Sequence, residues 1–378
     1  MKSKILTFIF SLLFIGCNKY SSKIYDKDSV NITIFSENYQ EKIYYSQLFD
    51  SVKYIILDNR DDCLIGEIAK IVHYDKRFYI LDVQQMILFA FSETGQFEWK
   101  IDKRGNGPGE YRYLMDFDIN QNRLYLFDRR NQILEYDLNG NFVKKYEINI
   151  PGVSFLINNG HFYFYTCNST SETGDYSLLI MDDYGQKFKN GIPITQKNLL
   201  NKCVIFNHSK VFYRYGDKNR FYMPLETNVY SIAEDSISVQ YRISINNKNI
   251  PENFFDRNTY EDLTNTSYAY GMHTFWENDS FLSFEVMFDK RYWTVLFSKK
   301  EDKPAYGIFY DDIAYCFPSI QVSNNDFAIG FRSMYELHSE YTFAQEIKES
   351  RENTILEDIV KNTNEEDNPV LLIYFFKK

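Results

Sequence analysis

The chain has 378 residues, enough for two or three ordinary domains or for one large repeat-built unit. With 33 Phe and 32 Tyr, aromatic residues reach 18%, which favours half-buried pleated strands. Acidic residues (52) outnumber basic ones (42), and no basic run follows the first few residues, so a nucleic-acid partner is not expected.

Residues 1–16 read as an export signal. Lys2 and Lys4 precede an apolar run from Ile5 to Ile15, too short to span a bilayer. Leu13-Phe14-Ile15-Gly16-Cys17 resembles a bacterial lipobox, with Phe14 where Leu is usual. That resemblance implies cleavage before Cys17 and a lipid on its thiol, anchoring the protein in the cell envelope. The alternative is an ordinary secretory signal with an incidental Cys. Residues 17–44 then read as a tether and N-terminal segment, and 45–378 as the folded unit. Of the other cysteines, Cys63, Cys167, Cys203 and Cys316, none forms a Cys-x-x-Cys pair. Scattered buried thiols are expected over two disulfides.

Self-similarity organises the rest. Arg77-Phe78-Tyr79-Ile80-Leu81-Asp82 recurs as Arg123-Leu124-Tyr125-Leu126-Phe127-Asp128, 46 residues on. Thr94-Gly95-Gln96-Phe97 recurs as Asn139-Gly140-Asn141-Phe142. Period-two alternation predicts strands, the Gly turns predict hairpins, and each terminal Asp suits an Asx turn. Weaker copies start at His161, Val211, Phe281 and Asp326, the third reaching Gly185. A repeat of 45–46 residues built from short antiparallel strands predicts an all-β, six-bladed β-propeller of four-stranded blades, in preference to a β-sandwich. Val52–Leu57 lacks a hairpin partner. It is expected to pair with Val370–Phe375 and close the ring through the N- and C-terminal strands. Two small helical insertions are expected, at about 251–269 and 340–361, the latter from Phe343, Ile347, Leu356, Ile359 and Val360.

Phe97 to Tyr111 runs FEWKIDKRGNGPGEY. This resembles the six-bladed β-propeller lipoproteins of Bacteroidetes, which look like NHL-repeat propellers and carry a Gly-x-Gly-Pro-Gly-Glu-Tyr turn after the first blade. The resemblance covers roughly residues 45–378 and implies fold and export more than activity.

The turn does not open a helix and is no phosphate loop. Gly105, Gly107, Pro108 and Gly109 are expected to carry the chain between blades through several positive-φ positions. Arg104, Glu110 and Tyr111 are the candidate ligand contacts, at a channel mouth. The histidines His73, His161, His208, His273 and His338 are dispersed, Asp116 and Asp118 lack an EF-hand frame, and no Gly-x-Ser-x-Gly elbow occurs. No metal, cofactor or catalytic residue is therefore assigned. The expected role is a monomeric, non-catalytic binding or scaffold protein for a peptide, glycan or protein partner. The alternative is a lyase or hydrolase with a metal site in the channel.

Overall fold

The computed structural model describes residues 24–25, 28–129, 132–148, 150, 152–169, 175–182, 184, 187–195, 210–233, 236–346 and 354–378. The export signal, Cys17, Gly185, Cys203, His208 and Ile347 lie outside them.

The chain starts with β1 (Ile24–Tyr25), β2 (Val30–Ile34), β3 (Tyr39–Tyr44) and β4 (Phe49–Ile56). Blade one is β5 (Lys70–Tyr74), β6 (Arg77–Asp82), β7 (Ile87–Ser92) and β8 (Phe97–Ile101). Blade two is β9 (Leu114–Asn120), β10 (Arg123–Asp128), β11 (Gln132–Asp137) and β12 (Phe142–Glu147). Blade three is β13 (Ser154–Asn158), β14 (His161–Tyr165), β15 (Tyr176–Asp182) and β16 (Lys187–Pro193). Blade four is β17 (Phe212–Tyr215), β18 (Lys218–Tyr222), β19 (Asn228–Ala233) and β20 (Ser236–Ile245). After helix α1 (Tyr260–Thr264), blade five is β21 (Tyr270–Glu277), β22 (Phe281–Phe288), β23 (Arg291–Ser298) and β24 (Lys303–Tyr310). Blade six is β25 (Ser319–Ser323), β26 (Phe327–Arg332) and β27 (Val370–Phe376), completed by β4. The fold is a six-bladed propeller of four-stranded antiparallel blades.

Alternation explains why the blades stack. In β6, Phe78 joins the cluster with Ile329 and Leu371 of blade six, whereas Tyr79 joins that of Phe117 and Leu124 in blade two. A hydrophobic cluster fills every junction between successive blades. A sheet with two apolar faces needs two neighbours, and a closed ring supplies them.

Closure follows the expected pairing. β4 runs antiparallel to β27, from Val370 opposite Ile56 to Phe376 opposite Phe49. Tyr374 is buried there and donates to Asp311 at 2.6 Å, which also accepts from the amides of Ala314 and Cys316 at 2.9 Å.

The N-terminal segment departs from the expectation. Residues 30–44 are not a tether: β2 adds in parallel to the outer edge of blade four, and β3 adds in parallel to blade five. Together with β4 they strap the outside of three consecutive blades. The strap's own Ile32, Ile34 and Ile43 are each 1% exposed, buried against the blades. Val30, Ile32 and Ile34 alternate, but parallel pairing to a strand 211 residues away leaves no local signature.

Both insertions are helical in part. The first holds α1 and a 3-10 turn at Phe254–Asp256, with Phe255 and Leu263 buried. The second starts earlier than expected and is two helices, α2 (Met334–Glu346) and α3 (Ile355–Lys361). Met334, Leu337, Leu356 and Ile359 enter the blade-six core, so these helices lie on their own propeller. Phe343, placed on the apolar face from sequence, is instead exposed. Cys63, Cys167 and Cys316 are buried thiols.

Candidate functional site

The repeated Asp clamps the crossover between blades. Asp82 accepts from the amides of Gly66 (2.7 Å) and Glu67 (3.1 Å), and also from the Gln85 amide. Asp128 accepts from the amides of Arg112 and Tyr113, each at 3.1 Å. The clamped pairs sit one repeat apart, as the two Asp do. These carboxylates are fully buried and tie down the segment that leads into each inner strand.

The Gly-rich turn joins β8, the outer strand of blade one, to β9, the inner strand of blade two, as expected, but its side chains are placed differently. Tyr111 does not face a channel mouth. It is 0% exposed, and its one hydroxyl proton is shared between the Met86 carbonyl (2.6 Å) and the Ile101 carbonyl (2.9 Å). Its ring completes the apolar junction between blades one and two. Glu110 folds back to accept from the Gly107 amide at 2.7 Å. Arg104 is exposed and pairs with Asp102 at 3.4 Å. The groove beside the turn is walled by Gln132, Phe142 and Lys145 of the third and outer strands of blade two. The expectation of several positive-φ glycines is also corrected, because Gly109 alone has it (+73°) among the three. At Gly105 a Cβ would lie 2.0 Å from Glu110 Oε2, so a larger residue there would displace the Glu110 carboxylate from the turn.

The axis itself carries a different constellation. The inner strands of all six blades, β5, β9, β13, β17, β21 and β25, enclose a cavity of about 290 Å³. Its cations are Lys70, Lys210 and Arg214. Lys70 Nζ pairs with buried Asp116 Oδ1 at 2.8 Å and donates to the Phe117 carbonyl at 2.6 Å. Burial pushes the Asp116 carboxyl up, against the pull of Lys70. Arg214 grips Asp118 with two bonds, 2.6 and 2.7 Å, and donates to the Ile157 carbonyl at 2.7 Å. Bidentate geometry of this kind fixes direction as well as charge. One arginine thus ties blade four to blades two and three and hardens one side of the cavity.

Lys210 differs. Among the described residues no hydrogen bond or ion pair within 4 Å holds its ammonium. Burial lowers its pKa to about 8, partly offset by the Glu285 carboxylate. Facing the cavity is an apolar wall that includes Leu156, Phe212, Phe275, Trp276 and Phe327. Tyr213 stacks on Phe275 with ring centres 5.7 Å apart. Gln321 lines the same space, and its buried Oε1 has no hydrogen-bond partner among the described residues.

Around Lys210, β21 is distorted. Its pairing with β22 slips on either side of His273. Thr274 sits at φ +52°, a left-handed conformation that costs a β-branched residue about 1–3 kcal/mol. The slip brings His273 Nδ1 to 2.7 Å from Thr274 Oγ1 and 3.4 Å from Glu285 Oε2. Burial, then the charge of Lys210, lower the His273 pKa to about 4, and burial raises that of Glu285. At neutral pH the imidazole is uncharged.

Outward from Trp276, between blades four and five, Glu277 is 0% exposed. It accepts from Lys299 Nζ (2.7 Å), Tyr241 (2.7 Å), Tyr213 (3.2 Å) and Arg220 Nε (3.2 Å). Burial opposes its charge, but Arg220 and Lys299 outweigh burial and hold its pKa below the usual range. Tyr213 spans both networks: its ring faces the cavity, and its hydroxyl bonds Glu277.

The family model DUF4934, a domain of unknown function, matches residues 29–375. The chain belongs to the DUF4934 family. The matched region opens where the N-terminal strap opens, so in this DUF4934 chain the strap is part of the matched unit. No curated protein matches the sequence. A Bacteroides fragilis NCTC 9343 structure, described as an exported protein, is 18% identical over 92% of this chain and 99% of its own, with a TM-score of 0.74. A member of the DUF4221 family from Bacteroides vulgatus ATCC 8482 is 10% identical over 87% and 97%, with a TM-score of 0.50. Both similarities are of fold. Among the described residues of the DUF4934 chain, no group of three or more His, Cys, Asp or Glu is placed to hold a metal ion, and no helix is long and apolar enough to cross a membrane.

None of Lys70, Lys210, Arg214 or Gln321 stood out in the sequence. They come from different blades and share no local motif. One signal was available: Lys70 and Asp116 are opposite charges one 46-residue repeat apart.

Proposed function

We propose that the protein is exported, lipid-anchored through Cys17, and acts as a non-catalytic binding protein that holds its ligand, part of a peptide, glycan or protein partner, in the axial cavity. One observation carries this reading: all six inner strands converge on one cavity, walled by aromatic side chains and edged by cations. Concave, mostly apolar sites with a few convergent polar groups are the usual form of a ligand site. Two of the three cations are neutralised by buried aspartates, a pre-organised frame that would not rearrange on binding. The apolar run before Cys17 and the description of the Bacteroides fragilis relative as exported support the export reading.

Native mass spectrometry tests it. The form lacking residues 1–17 is incubated with an envelope extract of a producing cell. A discrete adduct is expected on this form and not on Gln321→Trp, whose indole fills the cavity. No adduct on either, or the same adduct on both, would overturn the reading.

A further inference from the structure

We infer that the axial cavity takes an organic acid whose carboxylate meets Lys210, whose aromatic or apolar body lies on the Phe212–Phe275–Trp276 wall, and whose N–H meets Gln321; the simplest such ligand is an N-acyl aromatic amino acid, the chemistry of a peptide's carboxyl end. This rests on the reading of the cavity as a binding site, and it adds the ligand's chemical class.

Three features of the cavity converge on that class. The first is charge. Lys70 is bound to Asp116 and Arg214 to Asp118, which leaves Lys210 as the cation without an ion pair within 4 Å among the described residues lining the cavity. An ammonium flanked by apolar surface, whose burial the Glu285 carboxylate offsets only in part, is stabilised by an incoming anion. The second is the orphaned acceptor. Gln321 Nε2 donates to Ser319 Oγ at 2.9 Å, which fixes the amide's orientation and turns Oε1 into the buried, unpartnered position. A buried acceptor left without a donor is destabilising, so a ligand N–H there is favoured. The third is the wall. Tyr213, Phe275 and Phe284 form a stacked series, and Trp276 and Phe327 extend the surface at the cavity. Aromatic pairs of this kind favour a flat apolar group. A sugar, which needs a ring of hydroxyl partners, fits this donor set less well than an acid with one donor and an apolar body.

Calorimetry on the form lacking residues 1–17 tests the inference, with N-acetyl-phenylalanine and its neutral isostere N-acetyl-phenylalanine amide as probes. The acid is expected to bind at least tenfold more tightly than the amide at pH 7. That preference is expected to shrink as pH rises past about 8, where the Lys210 ammonium loses its proton. In Lys210→Gln the preference and its pH dependence are both expected to vanish, while weak amide binding persists. Gln321→Leu is expected to weaken acid and amide alike, keeping the preference. A hexapeptide ending in Phe separates the two sources of this chemistry: tighter binding than the free acid indicates a peptide end, weaker binding a free acid. Equal affinity for acid and amide, a preference retained in Lys210→Gln, or binding of neither probe would overturn the proposal. An adduct in the envelope experiment combined with no acid binding would sink this ligand class and leave the binding reading standing.

Discussion

A chain beginning at Tyr45 is expected to be insoluble or unfolded, whereas one beginning at Ser29 keeps full stability. The difference is the strap. Removing residues 29–44 takes away Ile32, Ile34 and Ile43, each 1% exposed in the ring, and uncovers the apolar surface they pack against. At about 2 kcal/mol for each buried aliphatic side chain, the loss is about 6 kcal/mol, within the 5–15 kcal/mol that a whole domain commands. The deletion also strips the hydrogen-bonded edges from β20 and β24, leaving open strand edges that template aggregation. Soluble yield and urea unfolding of the two truncations give the answer. Unfolding midpoints that agree closely would mean that the strap contributes little and that residues 17–44 are the tether the sequence suggested.

Replacing Glu277 by Ala is expected to destabilise the ring by about 3–5 kcal/mol, the cost of leaving buried charges without their partner. Arg220 is 2% exposed and would keep Ser231 Oγ (2.9 Å) and the Tyr241 hydroxyl as its side-chain partners. Lys299 would keep the Asn278 carbonyl and the face of Tyr215. The hydroxyls of Tyr213 and Tyr241 would lose their acceptor. Because Tyr213 also walls the cavity, ligand affinity is expected to fall with stability. Glu277→Gln is the informative companion: it keeps two polar atoms and loses the charge, so it should sit between wild type and Ala. Urea unfolding measures both, and a loss under 1 kcal/mol for Ala would show that the network is solvated rather than buried.

How far the sequence reached depends on what kind of pairing was involved. Antiparallel hairpins join residues that are close in the chain, so Phe78–Asp82, Leu124–Asp128 and the Gly95 and Gly140 turns announced the blades. The closing pair β4 and β27 was legible because one strand of the count lacked a partner. The strap was not, since parallel pairing of β2 to β20 joins distant segments with no turn between them. The Gly-rich turn was the strongest local motif, yet Gly105 and Gly109 serve close packing against Glu110 and Phe142. Its Tyr111 is core. The cavity was illegible for the opposite reason: Lys70, Lys210, Arg214 and Gln321 are ordinary residues until the ring closes and brings them together. The positive φ of Thr274 marks the same region and has no sequence signature at all.

The central claim, that this propeller binds at its axis, is tested most directly by methyl NMR of the form lacking residues 1–17 during titration with the binding fraction of an envelope extract. Shifts are expected to cluster on Ile71, Ile119, Leu156 and Val322, one from each of four inner strands. Shifts confined to Val143, beside the groove of the Gly-rich turn, with the cavity methyls unmoved, would contradict the account.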